Sequence, residues 1–156
     1  MSGDGGDRRS LLLLSGANLG LLGERQPEVY GTATLEDHVA LATATAGEHG
    51  LVLEHVHSDA EAELVRAVHR ARDEHDAVVV NPGAFTHYSW ALHDALAAFE
   101  GPVVELHLSN PQRREAWRHT SVVSPVADAL VCGLGGAGYR LAVEAAAELL
   151  AARRPG

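Results

Sequence analysis

The chain of 156 residues is 46% hydrophobic and 21% charged, an ordinary globular balance and enough for one domain with a buried core. Its formal net charge of -9 argues against nucleic acid or an anionic membrane as the main partner, because both would repel the chain as a whole. No apolar run reaches the length needed to cross a bilayer, and the single cysteine, Cys132, cannot pair internally, which points to a reducing cytoplasm.

Residues 1–10, MSGDGGDRRS, lack the apolar stretch of a signal peptide and read as a disordered leader, leaving 11–154 as a single domain. LLLLS at 11–15 is the first of five short buried strands; LVLEHVH at 51–57, AVVVN at 77–81, PVVELHLS at 102–109 and DALVCG at 128–133 follow. Their mostly unbroken apolar character suits a parallel sheet covered on both faces. Helical patterns lie between several of them. Thr34 followed by Asp37 opens the first, and Ser58 followed by Glu61 resembles a capping box at the second. Leu64, Val65, Val68 and Ala71 then recur at helical spacing, and 88–99 and 138–153 read as two further helices. Strands alternating with helices predict an α/β fold, a three-layer α/β/α sandwich on a five-stranded parallel sheet in the flavodoxin-like order.

Ligands in such sheets gather outside the carboxyl ends of the strands, and there the polar residues collect. The first strand runs into SGANLGLLGERQPEVYG, the third into NPGAFTH and the fourth into ELHLSNPQRREAWR. Pro82 and Gly83 supply a turn, but a turn needs neither the amide of Asn81 before it nor the imidazole of His87 after it. Thr86 and Ser89 are expected to start the following helix. Glu105 and His107 share one face of a strand end, beside Ser109 and Asn110, a placement that favours a functional reading for the pair.

Three features compete with this crevice. GLGGAG at 133–138 fits a dinucleotide fingerprint, yet no strand with an acidic residue follows it, so close helix–strand packing explains its glycines better. His55 and His57 alternate along a strand, but no further ligand stands at fixed spacing to them, and no metal site is expected. SGANLGLLG lacks the hydroxyl or lysine pattern of a phosphate-cradling loop, which disfavours a flavodoxin-like nucleotide-binding module.

GANLGLLGERQPEVYG, HSDAEAEL, NPGAFTHYS, ELHLSN and REAWRHTS, in that order, resemble the type II 3-dehydroquinate dehydratase family over about residues 11–150. The resemblance implies a cytoplasmic hydro-lyase of the shikimate pathway, which feeds aromatic amino acid biosynthesis. It would dehydrate 3-dehydroquinate to 3-dehydroshikimate through an enolate, without cofactor or metal. The absence of any lysine excludes a lysine Schiff base independently. By motif position, Tyr30 would be the base activated by Arg25, and His107 the acid oriented by Glu105. Asn18 would hold a water that stabilises the enolate. Asn81, His87, Arg118 and the backbone amides of Leu108 and Ser109 would hold the substrate. The resemblance also implies a dodecamer, a tetramer of trimers, in which Asp94 reaches the neighbouring subunit's site. A lone acid on a helix is more often solvated, but paired across an interface with Arg114 or Arg118 its charge would be compensated.

Elementary chemistry accounts for the choice of residues. A proton next to a ketone is weakly acidic, so its removal needs a strong base that is nevertheless ionised. A free tyrosine, with a pKa of about 10, is too rarely a phenolate near neutrality, and a cation ~4 Å away supplies the stabilisation. The chain departs from the family pattern at Ala17, His57, Tyr88, Trp90 and His93. The bulky Tyr88 and Trp90 would narrow the site, repack a subunit contact or mark a paralogue with a changed substrate. A scaffold without catalysis remains the other alternative, although it would be expected to lose Tyr30, Arg25 or His107.

Overall fold

The computed structural model describes residues 8–153. Residues 1–7 of the expected leader, and residue 154 of the expected domain, lie outside the described residues. Five parallel strands, β1 (Arg9–Ser15), β2 (Leu51–His57), β3 (Ala77–Asn81), β4 (Val103–His107) and β5 (Ala129–Cys132), form one sheet in the order β2-β1-β3-β4-β5. This is the flavodoxin-like order expected from the strand–helix alternation.

Strand β1 begins at Arg9, inside the segment read as leader. Arg9 and Ser10 carry no hydrophobic signal and are recruited by long-range bonds. Arg9 donates to the carbonyl of Leu150 at 3.0 Å, and the Ser10 amide donates to the Asp76 carboxylate at 2.8 Å.

Around the sheet lie the one-turn α1 (Pro27–Tyr30), then α2 (Leu35–Glu48), α3 (Glu61–Glu74), α4 (Trp90–Ala97) and α5 (Ala137–Ala152). Alternation along β1 divides the core. Leu11 and Leu13 face α2 and α5 among Ala42, Ala46, Tyr139 and Val143, whereas Leu12 and Leu14 face α3 and α4 among Leu64, Val68, Leu92 and Leu96. The three layers follow from two apolar faces needing cover.

Helix α2 starts as expected. The Thr34 hydroxyl accepts from the Asp37 amide at 3.2 Å, and the Asp37 carboxylate accepts from the Thr34 amide at 2.9 Å, a reciprocal capping box. Helix α3 does not. Its first residue is Glu61, the Ser58 hydroxyl closes a local turn by accepting from the Ala60 amide at 2.9 Å, and Glu61 instead accepts from the Ser89 hydroxyl at 2.5 Å. The serine lies two residues before the N-cap position, Ala60, too early to cap, and the glutamate is drawn to another helix. Ser89 does cap α4, accepting from the Leu92 amide at 3.1 Å. Thr86 takes no part in that start: it lies within a 3-10 turn, Gly83–His87, with its hydroxyl turned to Glu105. The GLGGAG segment packs as expected, since a Cβ on Gly138 would come within 2.9 Å of the Leu106 side chain.

Candidate active site

The carboxyl ends of β1, β3 and β4 open into one crevice, lined among others by Asn18, Arg25, Tyr30, Asn81, His87, His107, Leu108, Ser109, Arg114 and Arg118. The β1 and β3 loops can meet only because Gly16 has no side chain. A Cβ there would lie 2.1 Å from the Pro82 carbonyl oxygen. Gly83 takes a left-handed φ of 61° and packs against Ala17, so this turn too requires glycine.

Tyr30 ends α1, a helix begun by Pro27 at its first position. Two guanidinium groups flank its ring, with the Arg25 and Arg114 carbons each 5.2 Å from the centroid. The bond to the phenol oxygen comes from Arg114, which donates at 2.7 Å and also donates to the Ser109 hydroxyl at 3.3 Å. On sequence grounds Arg25 has the task of activating Tyr30, and Arg114 enters only as one of two partners, with Arg118, for Asp94. Arg114 stands 84 positions from Tyr30, too far for local spacing to show that they meet.

Across the crevice, β4 ends in Glu105 and His107. Glu105 is 0% exposed, yet its carboxylate accepts from the hydroxyls of Thr86 at 2.7 Å and Ser121 at 2.9 Å, from Ser124, and from His107 Nε2 at 2.5 Å. Burial pushes the Glu105 carboxyl up, and it is the largest single influence. The hydrogen bond and charge of His107, with the hydroxyls of Ser124 and Thr86, outweigh it and hold the group below the ordinary glutamate value. A carboxylate only accepts, so Nε2 of His107 carries a proton and Nδ1 is the nitrogen left for chemistry. The three hydroxyl partners were not foreseen. On sequence grounds Thr86 is expected to start a helix, Ser121 ends the REAWRHTS motif without a role of its own, and Ser124 lies outside every motif.

His87 Nδ1 donates to the Thr120 carbonyl at 2.8 Å. Burial lowers its pKa, chiefly by desolvation and further by the charges of His107 and Arg118, against the raising effect of the Thr120 bond. The neutral ring therefore offers Nε2 as an acceptor. Arg118 pairs with Glu115 at 2.5 Å and lies over Trp117, 4.1 Å from the ring centroid. Asn81 is 2% exposed and held from two sides: it donates to the Tyr139 hydroxyl at 3.1 Å and accepts from the Gly83 amide at 3.3 Å. Asn18 takes a left-handed φ of 68°, and its backbone N–H donates to the Asp59 carboxylate at 2.8 Å. The carbonyls of Leu108 and Ser109 accept from Gly135 at 2.9 Å and Gly133 at 3.1 Å, which ties the turn after β4 to the segment after β5. Two of the expected residues do not themselves line the crevice: Glu105 is buried and meets it through His107, and Asp94 is exposed on α4.

Tyr88 and Trp90 do not line the crevice either. They are 59% and 62% exposed, so neither narrows it. His55 bonds Ser15 at 2.8 Å rather than joining a metal-ligand set with His57. Among the described residues one group has metal-ligand character, Glu54, Glu74 and His75. It lies beside Ser10 at the amino end of β1, away from the crevice, and its imidazole already bonds Glu54 at 2.7 Å and Ser10 at 2.5 Å. No described helix is long and apolar enough to cross a membrane.

Residues 9–147 match the family model described as "Dehydroquinase class II". Among similar curated proteins are a 3-dehydroquinate dehydratase of Corynebacterium glutamicum, 52% identical over 139 residues covering 89% of this chain and 96% of that protein, and one of Aeromonas hydrophila, 48% identical over 145 residues covering 93% and 97%. A crystal structure of the type II dehydroquinase from Propionibacterium acnes superposes with a TM-score of 0.86 at 41% identity, covering 90% of this chain and 97% of that one. With matches of this extent in sequence and in structure, the chain belongs to the class II dehydroquinase family and with it to the hydro-lyases.

Proposed function

We propose that the crevice dehydrates 3-dehydroquinate to 3-dehydroshikimate, with Tyr30 as base and His107 as acid. The observation that carries this is the pairing of two opposed devices in one crevice: a phenol bonded at 2.7 Å by a guanidinium, and an imidazole bonded at 2.5 Å by a buried carboxylate. Tyr30 as phenolate takes the C2 proton while Arg114 and Arg25 compensate its charge. The C–H electrons move onto the C3 ketone oxygen to give an enolate, stabilised by a water that Asn18 holds. Collapse of the enolate forms the C1–C2 double bond and expels the C1 hydroxyl, which leaves as water with a proton from the His107 imidazolium. Glu105 holds the Nε2 proton and keeps Nδ1 turned to the leaving group.

Asn81, His87, Arg118, Ser109 and the amides of Leu108 and Ser109 hold the substrate's hydroxyls and carboxylate. The exposed positions of Tyr88 and Trp90 support an unchanged substrate. Asp94, facing away from its own crevice, fits a residue that completes a neighbouring subunit's site in a trimer-based dodecamer. The product is a conjugated enone, so ultraviolet absorbance on adding 3-dehydroquinate tests the proposal. Wild-type protein is expected to generate the chromophore. Tyr30→Phe, which keeps the ring but removes the acidic oxygen, is expected to bind substrate without turning it over. Substantial turnover by that variant would remove Tyr30 from the role of base.

A further inference from the structure

Asn81 lies at the end of β3 with its side chain closed off from solvent, and its hydrogen bonds decide which way its amide faces. The Gly83 amide can only donate, so the atom it meets at 3.3 Å must be Oδ1. Nδ2 is thereby turned toward the Tyr139 hydroxyl, which accepts from it at 3.1 Å. Once these two bonds are counted, one N–H and one oxygen lone pair remain for anything in the crevice.

Tyr139 is itself rigidly placed. It is 0% exposed in the first turn of α5, and its ring stacks on buried His38 with centroids 4.9 Å apart and planes 6° from parallel. Burial pushes its hydroxyl up to about 12, even with hydrogen bonds from Asn81 and Ser15 acting to lower it. The hydroxyl therefore stays neutral at working pH. Ser15 in turn bonds His55 at 2.8 Å, so the hydroxyl that meets Asn81 is embedded in a polar group of fixed arrangement. Nothing in the proposed proton transfers uses Tyr139.

From this geometry we infer that Tyr139 is a positioning residue. Its hydroxyl fixes the Asn81 amide so that the remaining Nδ2 N–H is presented to a substrate oxygen, an inference that rests on the dehydratase assignment of the crevice. Without that acceptor, the buried Nδ2 would be left with an unmet donor, and the amide would turn to satisfy it.

Tyr139→Phe removes the oxygen alone and keeps the ring stacked on His38, so the fold is retained. The variant is expected to raise KM for 3-dehydroquinate about tenfold, the effect of one hydrogen bond, while kcat stays within about twofold. In an Asn81→Ala background the same substitution should raise KM no further, because the group it positions is already gone. Side-chain amide resonances of Asn81, followed by 15N NMR without substrate, should shift and lose protection from solvent exchange in Tyr139→Phe.

Wild-type turnover tests the dehydratase assignment separately, and the Asn81 resonances test the tether whether or not turnover is seen. A lowered melting temperature with unchanged KM would overturn the inference, because that is what a packing role alone predicts. An undiminished KM effect in the Asn81→Ala background, or Asn81 resonances indifferent to the hydroxyl, would overturn it equally.

Discussion

Arg114 sits at the junction of the two halves of the crevice, bonded to the Tyr30 phenol and to Ser109 in the turn that follows His107. Its charge lies where a phenolate develops, and a lysine would present a point charge without the planar fork. Arg114→Ala is expected to lower kcat by about 10²-fold or more, the range of a displaced acid–base group, with a smaller change in KM. Arg114→Lys should recover part of that loss. Steady-state kinetics of the two variants would check this, and wild-type kcat in Arg114→Ala would leave Arg25 as the cation that matters.

Among the elements, the short loops do the shaping and the helices do the holding. Helix α2 contributes no crevice residue, but it lies on the α5 side of the sheet and its His38 supports Tyr139. Its capping box is exposed and independent of the crevice. Thr34→Ala is expected to cost about 1 kcal/mol of stability. Urea unfolding should show that loss with KM unchanged. A shift in KM would mean that the start of α2 and the adjacent segment after Tyr30 move together.

For the whole molecule, acid should act in two windows. Burial lowers His38, His55 and His87 below the ordinary histidine value of 6.5, so the unfolded chain binds protons there that the folded chain does not. Stability is therefore expected to begin falling as pH drops through about 6.5. Glu105 is held below its ordinary value of 4.5, so the unfolded chain again binds protons first and a second loss follows beneath that value. Melting temperatures measured from pH 8 to pH 3 would show both, and Glu105→Gln should diminish the lower one, to which Asp37 and Glu115 also contribute. Assembly belongs to this scale as well. Small-angle scattering is expected to report a particle far larger than 16.5 kDa, and Asp94→Ala to shrink it and impair turnover. An active monomer would leave Asp94 as a surface acid.

The architecture was legible in the hydrophobic pattern. Runs such as LLLLS and AVVVN admit a strand buried on both faces, and five of them, several separated by helical patterns, leave few arrangements. The sequence by itself determined the family, through five motifs spread over nearly the whole chain, and it marked which strand ends carry chemistry. Tertiary structure decided which groups touch. The Arg114–Tyr30 bond spans 84 positions and the Asn81–Tyr139 bond spans 58, and no local periodicity encodes such distances. The start of β1 at Arg9 and the diversion of Glu61 to Ser89 have the same cause. Each is set by a polar group satisfied from a distant element, where hydrophobic pattern is silent and only the packed fold supplies the partner.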